Sequence, residues 1–395
     1  MSEWKKVKLG DCCEITSSKR IFFSEYSDSG IPFYRSKEII ELSKGQSISE
    51  PLYITENRYN EIKQKFGIPQ ENDILLTSVG SIGIPFMVNK RDKFYFKDGN
   101  LTWLRNYKDF VFPCYIFYWL KSNEAFNILN NIALGAAQKA LTIVKLKDIE
   151  VPLPSINAQH RFATILSRYD SLIENYQKQI KLLEEAAQRL YKEWFVDLHF
   201  PGHENTKIID GVPEGWEKKK LVDMVDVQYG YAFDGKLFNS NRDGMPILRI
   251  RNIPDGTTSD YTTEEVSKDY IVHNGDIVVG MDGIFHINSW SGGDAYLVQR
   301  ACSFRPKKAE LKGFIFQAIQ EPIKFFEKTL VGATVAHLGK KHIDSIELCV
   351  PKNFELYQPF SKFYNQRQGL LSQIRLLTEA RDRLLPKLMS GEIAV

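Results

Sequence analysis

The sequence predicts an α+β protein with two similar globular domains, separated by two long helices that pack antiparallel as a coiled coil, in a pseudo-two-fold internal repeat. Three observations lead to this fold class. Segments of the first half recur in the second half, β-rich runs fill the front of each repeat, and a long apolar stripe with helical spacing closes each repeat. A chain of 395 residues is also long enough for two or three domains.

The internal repeat is visible in three matched sets of residues. The first set opens each repeat, as Trp4, Leu9 and Asp11 and then as Trp216, Leu221 and Asp223. The second set consists of Gly30, Pro32, Arg35 and Ile39, matched by Gly244, Pro246, Arg249 and Ile253. The third set consists of Gly135, Ala136, Leu141, Ile149 and Pro154, matched by Gly332, Ala333, Leu338, Ile346 and Pro351. The number of residues between matched positions falls from 212 in the first set to 197 in the third, so we expect the loops of the two repeats to differ in length.

The predicted globular domains occupy residues 1–154 and 214–351. Short β-rich runs in them, at 73–77, 93–96, 276–280 and 344–350, alternate with turns rich in Gly, Asn, Asp and Pro. The segment 201–213 contains Pro201, Gly202, Gly211 and Pro213, residues that break regular structure. We interpret it as a linker between the first long helix and the second domain.

Each repeat closes with a predicted spacer helix, at 155–200 and at 352–395. Apolar residues step by three and four positions, which is typical of a coiled-coil seam. The packing positions include Tyr169, Ile173, Tyr176, Ile180, Leu183, Leu190 and Trp194 in the first helix, and Leu370, Ile374, Leu377, Leu384 and Leu388 in the second. A single helix would leave its apolar stripe exposed to water, so we expect the two stripes to pack against each other. We expect the two helices to be antiparallel, because a globular segment separates them in the chain. The alternative is that they are core faces of two ordinary amphipathic helices.

Some positions in these helices do not fit the stripe. Arg367 and Arg381 interrupt the second stripe, and Pro386 should kink the second helix or end its regular part near residue 385. Apolar residues also lie off the stripes, where they either face a partner or pack, namely Leu172, Leu182, Leu371 and Leu385.

The composition is that of an ordinary globular protein, with 43% hydrophobic and 26% charged residues. A formal net charge of +3 excludes a basic tail that binds nucleic acid by charge alone, although basic residues can still cluster on one face. Five cysteines without Cys-x-x-Cys spacing predict reduced core thiols. Without an apolar run of signal-peptide or membrane-spanning length, we expect a cytoplasmic protein that does not contact a membrane.

The residues give little support for catalysis. The Asn-Pro-Pro or Asp-Pro-Pro motif of amino-methyltransferases is absent, and Leu237 stands where a phosphate-binding loop beginning at Gly230 needs Ser or Thr. The histidines lack the spacing of zinc ligands, so we expect neither a metal nor a bound cofactor. Asp210, Glu217 and Lys219 resemble a nuclease triplet, a pattern that also arises by chance in a charged chain.

Two similar domains held apart by a stiff spacer suit the reading of two patches on a long, regular partner, and double-stranded DNA is the obvious one. Such a reader needs basic residues for phosphates and polar residues for base edges. The candidates are Arg35, Lys37, Ser78, Ser81, Arg91, Lys93, Lys139 and Lys145 in the first domain, and Arg249, Arg251, Asn252, His286, Arg300, His337, Lys340 and Lys341 in the second. Each of them alone could equally be a solvated surface residue, and Arg35 and Arg249 could instead make a shared structural contact.

Several motifs resemble one known family. They are the run Gln-Arg-Leu-Tyr-Lys-Glu-Trp-Phe-Val-Asp at 188–197, Gly-Val-Pro-Glu-Gly-Trp-Glu at 211–217, Gly-Tyr-Ala-Phe at 230–233 and Arg-Leu-Leu-Pro-Lys-Leu-Met-Ser-Gly-Glu-Ile at 383–393. Together with the duplicated layout, which covers essentially the whole chain, they resemble the specificity subunit of type I restriction-modification enzymes.

The resemblance implies that each globular domain is a target-recognition domain for one half of a split DNA sequence, and that the helices set the gap. It also implies that two modification subunits and two restriction subunits assemble on the chain. Those partners would bring S-adenosylmethionine, ATP and magnesium, methylate adenine at N6, and translocate and cut DNA.

Two other classes of function stay open from the residues alone. One is a free-standing bipartite DNA-binding or scaffold protein of another defence system. The other is an autonomous nuclease that uses Asp210, Glu217 and Lys219.

Overall fold

The computed structural model of the chain describes residues 4–46, 48–134, 140–330 and 336–393. The chain divides into two compact units, the first made of residues 1–174 and 377–395, and the second of residues 175–376. This division differs from the predicted alternation of globular and helical segments, because each unit takes in part of both long helices.

Helices belong to both units, and the two longest contribute to each. In the first unit they are α1 Leu9–Cys12, α2 Ser36–Ser43, α3 Glu56–Phe66, α4 Pro113–Leu120, α5 Asn123–Leu134, α6 Ile143–Lys147, the first part of α7 Ile156–Tyr191 and the last part of α12 Gln358–Met389. In the second unit they are the rest of α7, α8 Leu221–Met224, α9 Lys312–Ala318, α10 Gln320–Thr329, α11 Lys340–Asp344 and the first part of α12 Gln358–Met389. The Thr142 hydroxyl accepts from the backbone N–H of Lys145 and so caps the start of α6.

The strands of the first unit form one two-stranded pair and two larger sheets. The pair is antiparallel, β1 Lys5–Lys8 with β10 Glu150–Leu153. One sheet has the order β2 Glu14–Thr16, β9 Leu101–Arg105, β6 Ile74–Thr77, β7 Pro85–Met87, and the other has the order β3 Tyr26–Ser27, β5 Tyr53–Ile54, β4 Ile31–Tyr34, β8 Tyr95–Phe96. All four residues of β6 are buried, as expected for a short apolar run in the middle of a sheet.

The second unit repeats this topology, with one additional strand at the edge of its second sheet. A hairpin of β11 Ile208–Ile209 and β12 Val212–Pro213 precedes it. The pair is β13 Trp216–Lys220 with β23 Glu347–Pro351, and one sheet has the order β14 Val225–Tyr229, β22 Ala301–Pro306, β19 Ile277–Gly280, β20 Ile287–Ser289. The other sheet has the order β15 Phe238–Asn239, β17 Tyr261–Thr262, β16 Met245–Leu248, β21 Ala295–Leu297, β18 Ile271–Val272. The internal repeat predicted from the sequence is therefore confirmed.

One repeated glycine has a clear steric reason. Gly30 and Gly244 precede the matched strands β4 and β16, and both have positive φ angles, 133° and 82°. A Cβ atom at Gly30 would collide with the carbonyl oxygen of Ile54, and one at Gly244 with that of Thr262. Only glycine therefore allows the neighbouring strand to approach this closely in each unit.

Each unit has its own main hydrophobic core, and both long helices contribute to each. In the first unit, Phe162 and Leu166 of α7 pack with Leu385 and Leu388 of α12 in one buried cluster. In the second unit, Phe195 follows α7 in a π-helical turn, and it packs with Phe360 of α12.

The two long helices run antiparallel, as predicted. In the first unit, Arg381 in the second half of α12 contacts Asp170 in the first half of α7, with 2.6 Å between guanidinium and carboxylate. In the second unit, Arg367 near the start of α12 contacts Glu184 near the end of α7, also at 2.6 Å. The two arginines that interrupt the apolar stripe therefore pair with carboxylates of the facing helix.

The apolar stripe is sequestered along both helices. All of the predicted packing positions are buried or half-buried, namely Tyr169, Ile173, Tyr176, Ile180, Leu183, Leu190, Trp194, Leu370, Ile374, Leu377, Leu384 and Leu388. Off the stripe, Leu385 is buried and Leu371 is half-buried, whereas Leu172 and Leu182 stay 46% and 65% exposed.

Pro386 was predicted either to kink the second helix or to end its regular part near Leu385, and the second of these alternatives was wrong. Helix α12 continues to Met389, and the Ser390 N–H donates to the Pro386 carbonyl at 2.9 Å. Burial of Leu388 and Met389 in the first core supports the final turn and offsets the hydrogen bond that proline cannot donate.

The cysteines are free thiols, and Cys12, Cys13 and Cys302 are buried. Burial raises the pKa of the Cys12 thiol to about 11, and it raises the pKa of Cys302 further. Within the described residues, no helix is both long and apolar enough to cross a bilayer.

Candidate nucleic-acid interface

The first group of predicted contact residues lies where α2 begins, and its charges are already paired. The Arg35 N–H donates to Glu38 at 2.7 Å, and its guanidinium contacts the same buried carboxylate at 2.6 Å. Lys37 is exposed and pairs with Glu50 at 2.9 Å. Arg35 thus makes the structural contact that its repeated position suggested, and only part of its side chain can reach a partner.

The matched group in the second unit has the same backbone arrangement. The Asn252 side chain accepts from the Arg249 N–H at 2.9 Å, as Glu38 does from Arg35. The Arg249 guanidinium lies 5.3 Å from the ring centre of Phe238. Arg251 is exposed and forms an ion pair with Asp260 at 2.7 Å.

The predicted contact residues near β6 and α6 fall in different environments. Ser78 is buried, with its hydroxyl 2.7 Å from that of Thr102, so it does not reach the surface. Ser81 is exposed in the loop after β6. The Lys145 ammonium donates to the carbonyl of Ile132 at 3.0 Å. Lys139 lies outside the described residues.

Two further basic candidates lie between β7 and β8. Lys93 pairs with Glu56 at 2.9 Å, and its ammonium lies 5.7 Å from the ring centre of Tyr59. Arg91 is exposed and forms no ion pair with a described residue.

The structure brings two predicted contact residues of the second unit together around a carboxylate that the sequence analysis missed. Asp282, just after β19, lies 3.0 Å from the Arg300 guanidinium and 2.5 Å from Nδ1 of His337. The side chains of Arg300 and His337 are 67% and 59% exposed, against 18% for Asp282. The three residues come from distant chain segments, so no local pattern links them.

Other basic candidates belong to the same part of the second unit. Lys340 and Lys341 begin α11, only three and four residues after His337, and both are exposed. His286 is half-exposed in the loop between β19 and β20.

A hydrogen-bonded joint connects the long helices to the loop that follows Asn252, and the sequence analysis also missed it. Arg367 is only 8% exposed and donates to Asn288 Oδ1 at 2.8 Å, and it also contacts Ser289. The Asn288 amide nitrogen in turn donates to the carbonyls of Ile253 and Pro254, at 2.9 and 3.0 Å. The break in the apolar stripe at Arg367 was the available signal.

The alternative nuclease site is not assembled as a metal site. Glu217 pairs with Lys219 at 2.7 Å, and this hydrogen bond lowers the pKa of the Glu217 carboxyl. Asp210 lies in the exposed turn between β11 and β12. Among the described residues, no group of three or more His, Cys, Asp and Glu side chains is placed to hold a metal ion.

The second unit also contains an open groove of about 800 Å³. Its walls come from the end of α7, the π-helical turn, the start of α10 and strand β23, and they include Tyr191, Phe195, Pro322 and Leu348. The rings of Tyr191 and Phe195 stack at 5.2 Å on one side.

The fold and these surfaces define a class of protein, a duplicated α+β recognition protein with paired helices. The family model described as type I restriction modification DNA specificity domain matches the chain twice, at residues 1–185 and 213–374. The chain therefore belongs to the type I restriction-modification DNA specificity family, and it is a non-catalytic recognition subunit.

Two relatives agree with this assignment, and a solved structure shares the fold. The chain is 28% identical to the type I restriction enzyme MjaIX specificity subunit of Methanocaldococcus jannaschii, covering 100% of this chain and 94% of that protein. It is 26% identical to the MjaVIII specificity subunit of the same organism, over 100% of this chain and 93% of the relative. The crystal structure of the S subunit from M. genitalium shares the fold, with a TM-score of 0.57 at 18% identity, covering 98% and 96% of the two chains.

Proposed function

We propose that the chain reads a bipartite DNA sequence, with one half-site for each unit, as the specificity subunit of a type I restriction-modification complex. The observation that carries this proposal is the duplication itself, because two units with one topology present different side chains on matched loops. Reading by loops on a repeated scaffold lets each unit select its own bases.

The paired helices act as the spacer between the half-sites. Helix α7 has 36 residues, which corresponds to about 54 Å at ~1.5 Å per residue. The ion pairs of Arg367 and Arg381 fix the antiparallel register, because each arginine has one carboxylate on the facing helix. A fixed register gives a fixed spacing, so gap length becomes part of the recognised sequence.

The energetic reason for two units is that either one alone discriminates weakly. A good bidentate contact to a base edge contributes about 1–3 kcal/mol, while phosphate contacts add affinity that falls steeply with salt. Because the two units are joined, binding of the second half-site becomes intramolecular once the first half-site is bound. Tight binding then requires both half-sites, correctly separated.

Catalysis is supplied by other subunits in this proposal. Two modification subunits dock on the helical regions and two restriction subunits join them, bringing S-adenosylmethionine, ATP and magnesium to a chain that holds no cofactor of its own. The groove beside Tyr191 and Phe195 offers an apolar docking surface at the end of α7. We place the complex in the cytoplasm, where it meets DNA.

Methylation mapping tests the proposal. Cells that express this chain with its cognate modification subunit should methylate adenine in one split motif with a constant gap. Cells that express the modification subunit alone are the control and should lack this motif. A contiguous motif, or the same motif without the chain, would contradict the proposal.

A further inference from the structure

Two surface loops occupy the same place in the backbone of the two units. In the first unit, the Ser78 N–H donates to the Asn100 carbonyl at 2.8 Å. In the second unit, the Met281 N–H donates to the Arg300 carbonyl, also at 2.8 Å. The residue after each donor then forms an isolated antiparallel bridge, Val79 with Ala140 and Asp282 with His337.

A further hydrogen bond and a short helix follow the bridge in both units. The Leu141 N–H donates to the Ser78 carbonyl at 2.9 Å, and the Leu338 N–H donates to the Met281 carbonyl at 2.7 Å. Helix α6 begins two residues after Leu141, and α11 begins two residues after Leu338. These contacts set up a residue-by-residue correspondence between the two surfaces.

The side chains on this shared framework differ in charge. We call the surface of the first unit the neutral face, formed by Val79, Asn100, Ala140, Ile143 and Val144. We call the surface of the second unit the basic face, formed at the matched positions by Asp282, Arg300, His337, Lys340 and Lys341. With His337 uncharged, the five positions carry no formal charge in the first unit and a charge of about +2 in the second.

The geometry of the basic face keeps its positive groups available. Asp282 is mostly covered, and its two carboxylate oxygens contact Arg300 and His337, one oxygen each. A guanidinium has five N–H donors, and this ion pair uses one nitrogen of Arg300. Lys340 and Lys341 are exposed and form no ion pair with a described residue.

The neutral face offers apolar atoms instead. The side chains of Val79 and Val144 are 42% and 72% exposed, although both are aliphatic. Elsewhere in the first unit, the basic candidates Arg35, Lys37 and Lys93 are paired with carboxylates, whereas Arg91 is exposed. At the five matched positions, the first unit therefore offers no positive charge to phosphates.

We infer that the basic face binds backbone phosphates of duplex DNA beside the second half-site, and that the neutral face contacts DNA at the matched place without charge. The second unit then supplies most of the salt-dependent affinity, and the first unit depends on contacts with base edges and thymine methyl groups. Asp282 is a positioning residue, because it holds Arg300 and His337 side by side. This inference rests on the proposed function.

The test measures salt dependence of DNA binding by the full chain in complex with its modification subunit. The probes are a duplex that contains the mapped motif and an unrelated duplex. The slope of log K against log salt changes by about 0.9 for each phosphate contact. The variant K340Q/K341Q should therefore have a slope shallower by about two, weaker binding to both duplexes and an unchanged methylation motif.

Two matched variants complete the experiment. K218Q/K220Q removes the same charge from exposed positions on β13 and should leave the slope as in the wild type. V144K places a lysine on the neutral face at the position that matches Lys341 and should steepen the slope by about one. A wild-type slope for K340Q/K341Q or for V144K, or an equal change in K218Q/K220Q, overturns the inference. Absence of a split motif in the wild type would instead overturn the proposed function.

Discussion

At the scale of single residues, the arginines in the helix stripe show how a polar side chain can define a structure made mostly of apolar contacts. Arg367 replaces a stripe residue, yet it satisfies its guanidinium with Glu184, Asn288 and Ser289. The guanidinium carbon of Arg367 also lies 5.4 Å from the ring centre of Phe316. Buried polar groups of this kind are costly to leave unpaired, so they favour one register over its neighbours.

Replacing Arg367 tests this role. We expect R367L to lower the free energy of unfolding by about 1–3 kcal/mol, because Asn288 and Ser289 lose a buried donor. E184Q is the matched control and should cost less, because the Glu184 side chain is 42% exposed and can be solvated. Urea denaturation of both variants provides the measurement. Equal stability of R367L and the wild type would contradict a structural role for this joint.

The sequence identified these arginines as interruptions of the stripe but could not identify their partners. Asp170 and Glu184 are ordinary polar residues of a helix surface until the antiparallel register is known. Asp282 was missed for a similar reason, since it meets Arg300 and His337 only through the folded sheet. Ser78 carries a hydroxyl but lies inside the sheet, which composition does not reveal.

At the scale of secondary structure, the long helices were the most predictable elements. Ten positions from Phe162 to Trp194 step by three and four, and burial follows that pattern. Short strands were harder, because the run at 344–350 proved to be the end of α11 followed by β23. A four-residue strand is fixed by its neighbours in the sheet more than by its own residues.

Lengthening the spacer tests its role in setting the gap. One heptad inserted into each helix, after Glu174 and after Leu376, keeps both stripes in phase and adds about 10.5 Å. This is the rise of about three base pairs, so we expect the gap of the methylated motif to grow by about three with unchanged half-sites. A heptad in α7 alone is the control and should disrupt assembly, because the facing stripes lose register. An unchanged gap in the double insertion would contradict the spacer role.

At the scale of the whole molecule, the chain is a duplication whose first unit is discontinuous. Residues 377–395 belong to the first unit together with residues 1–174, whereas the second unit is one continuous segment. The duplication was readable from repeated residues such as Trp4 and Trp216. The sequence did not show that both units share both long helices, because this depends on how the antiparallel pair is packed.

A core substitution in the last turn of α12 tests this organisation. Leu388 is fully buried in the first core, and L388A should cost about 2–5 kcal/mol by leaving a cavity there. We expect amide hydrogen exchange to accelerate in residues 4–174 and to stay unchanged in residues 175–376. L182A, at an exposed position of α7, is the control and should change neither unit by more than about 0.5 kcal/mol. Equal acceleration in both units would contradict the division.

The discontinuity of the first unit has a consequence for how the protein is made. During translation at about 5–20 residues per second, the ribosome needs roughly 10–40 s to add the intervening 200 or so residues before Leu385, Leu388 and Met389 emerge. During that time the first core is incomplete, because the sides of Phe162 and Leu166 that face α12 are still uncovered. The second unit can fold as soon as its own continuous segment has left the exit tunnel. The part that is synthesised first is therefore completed last.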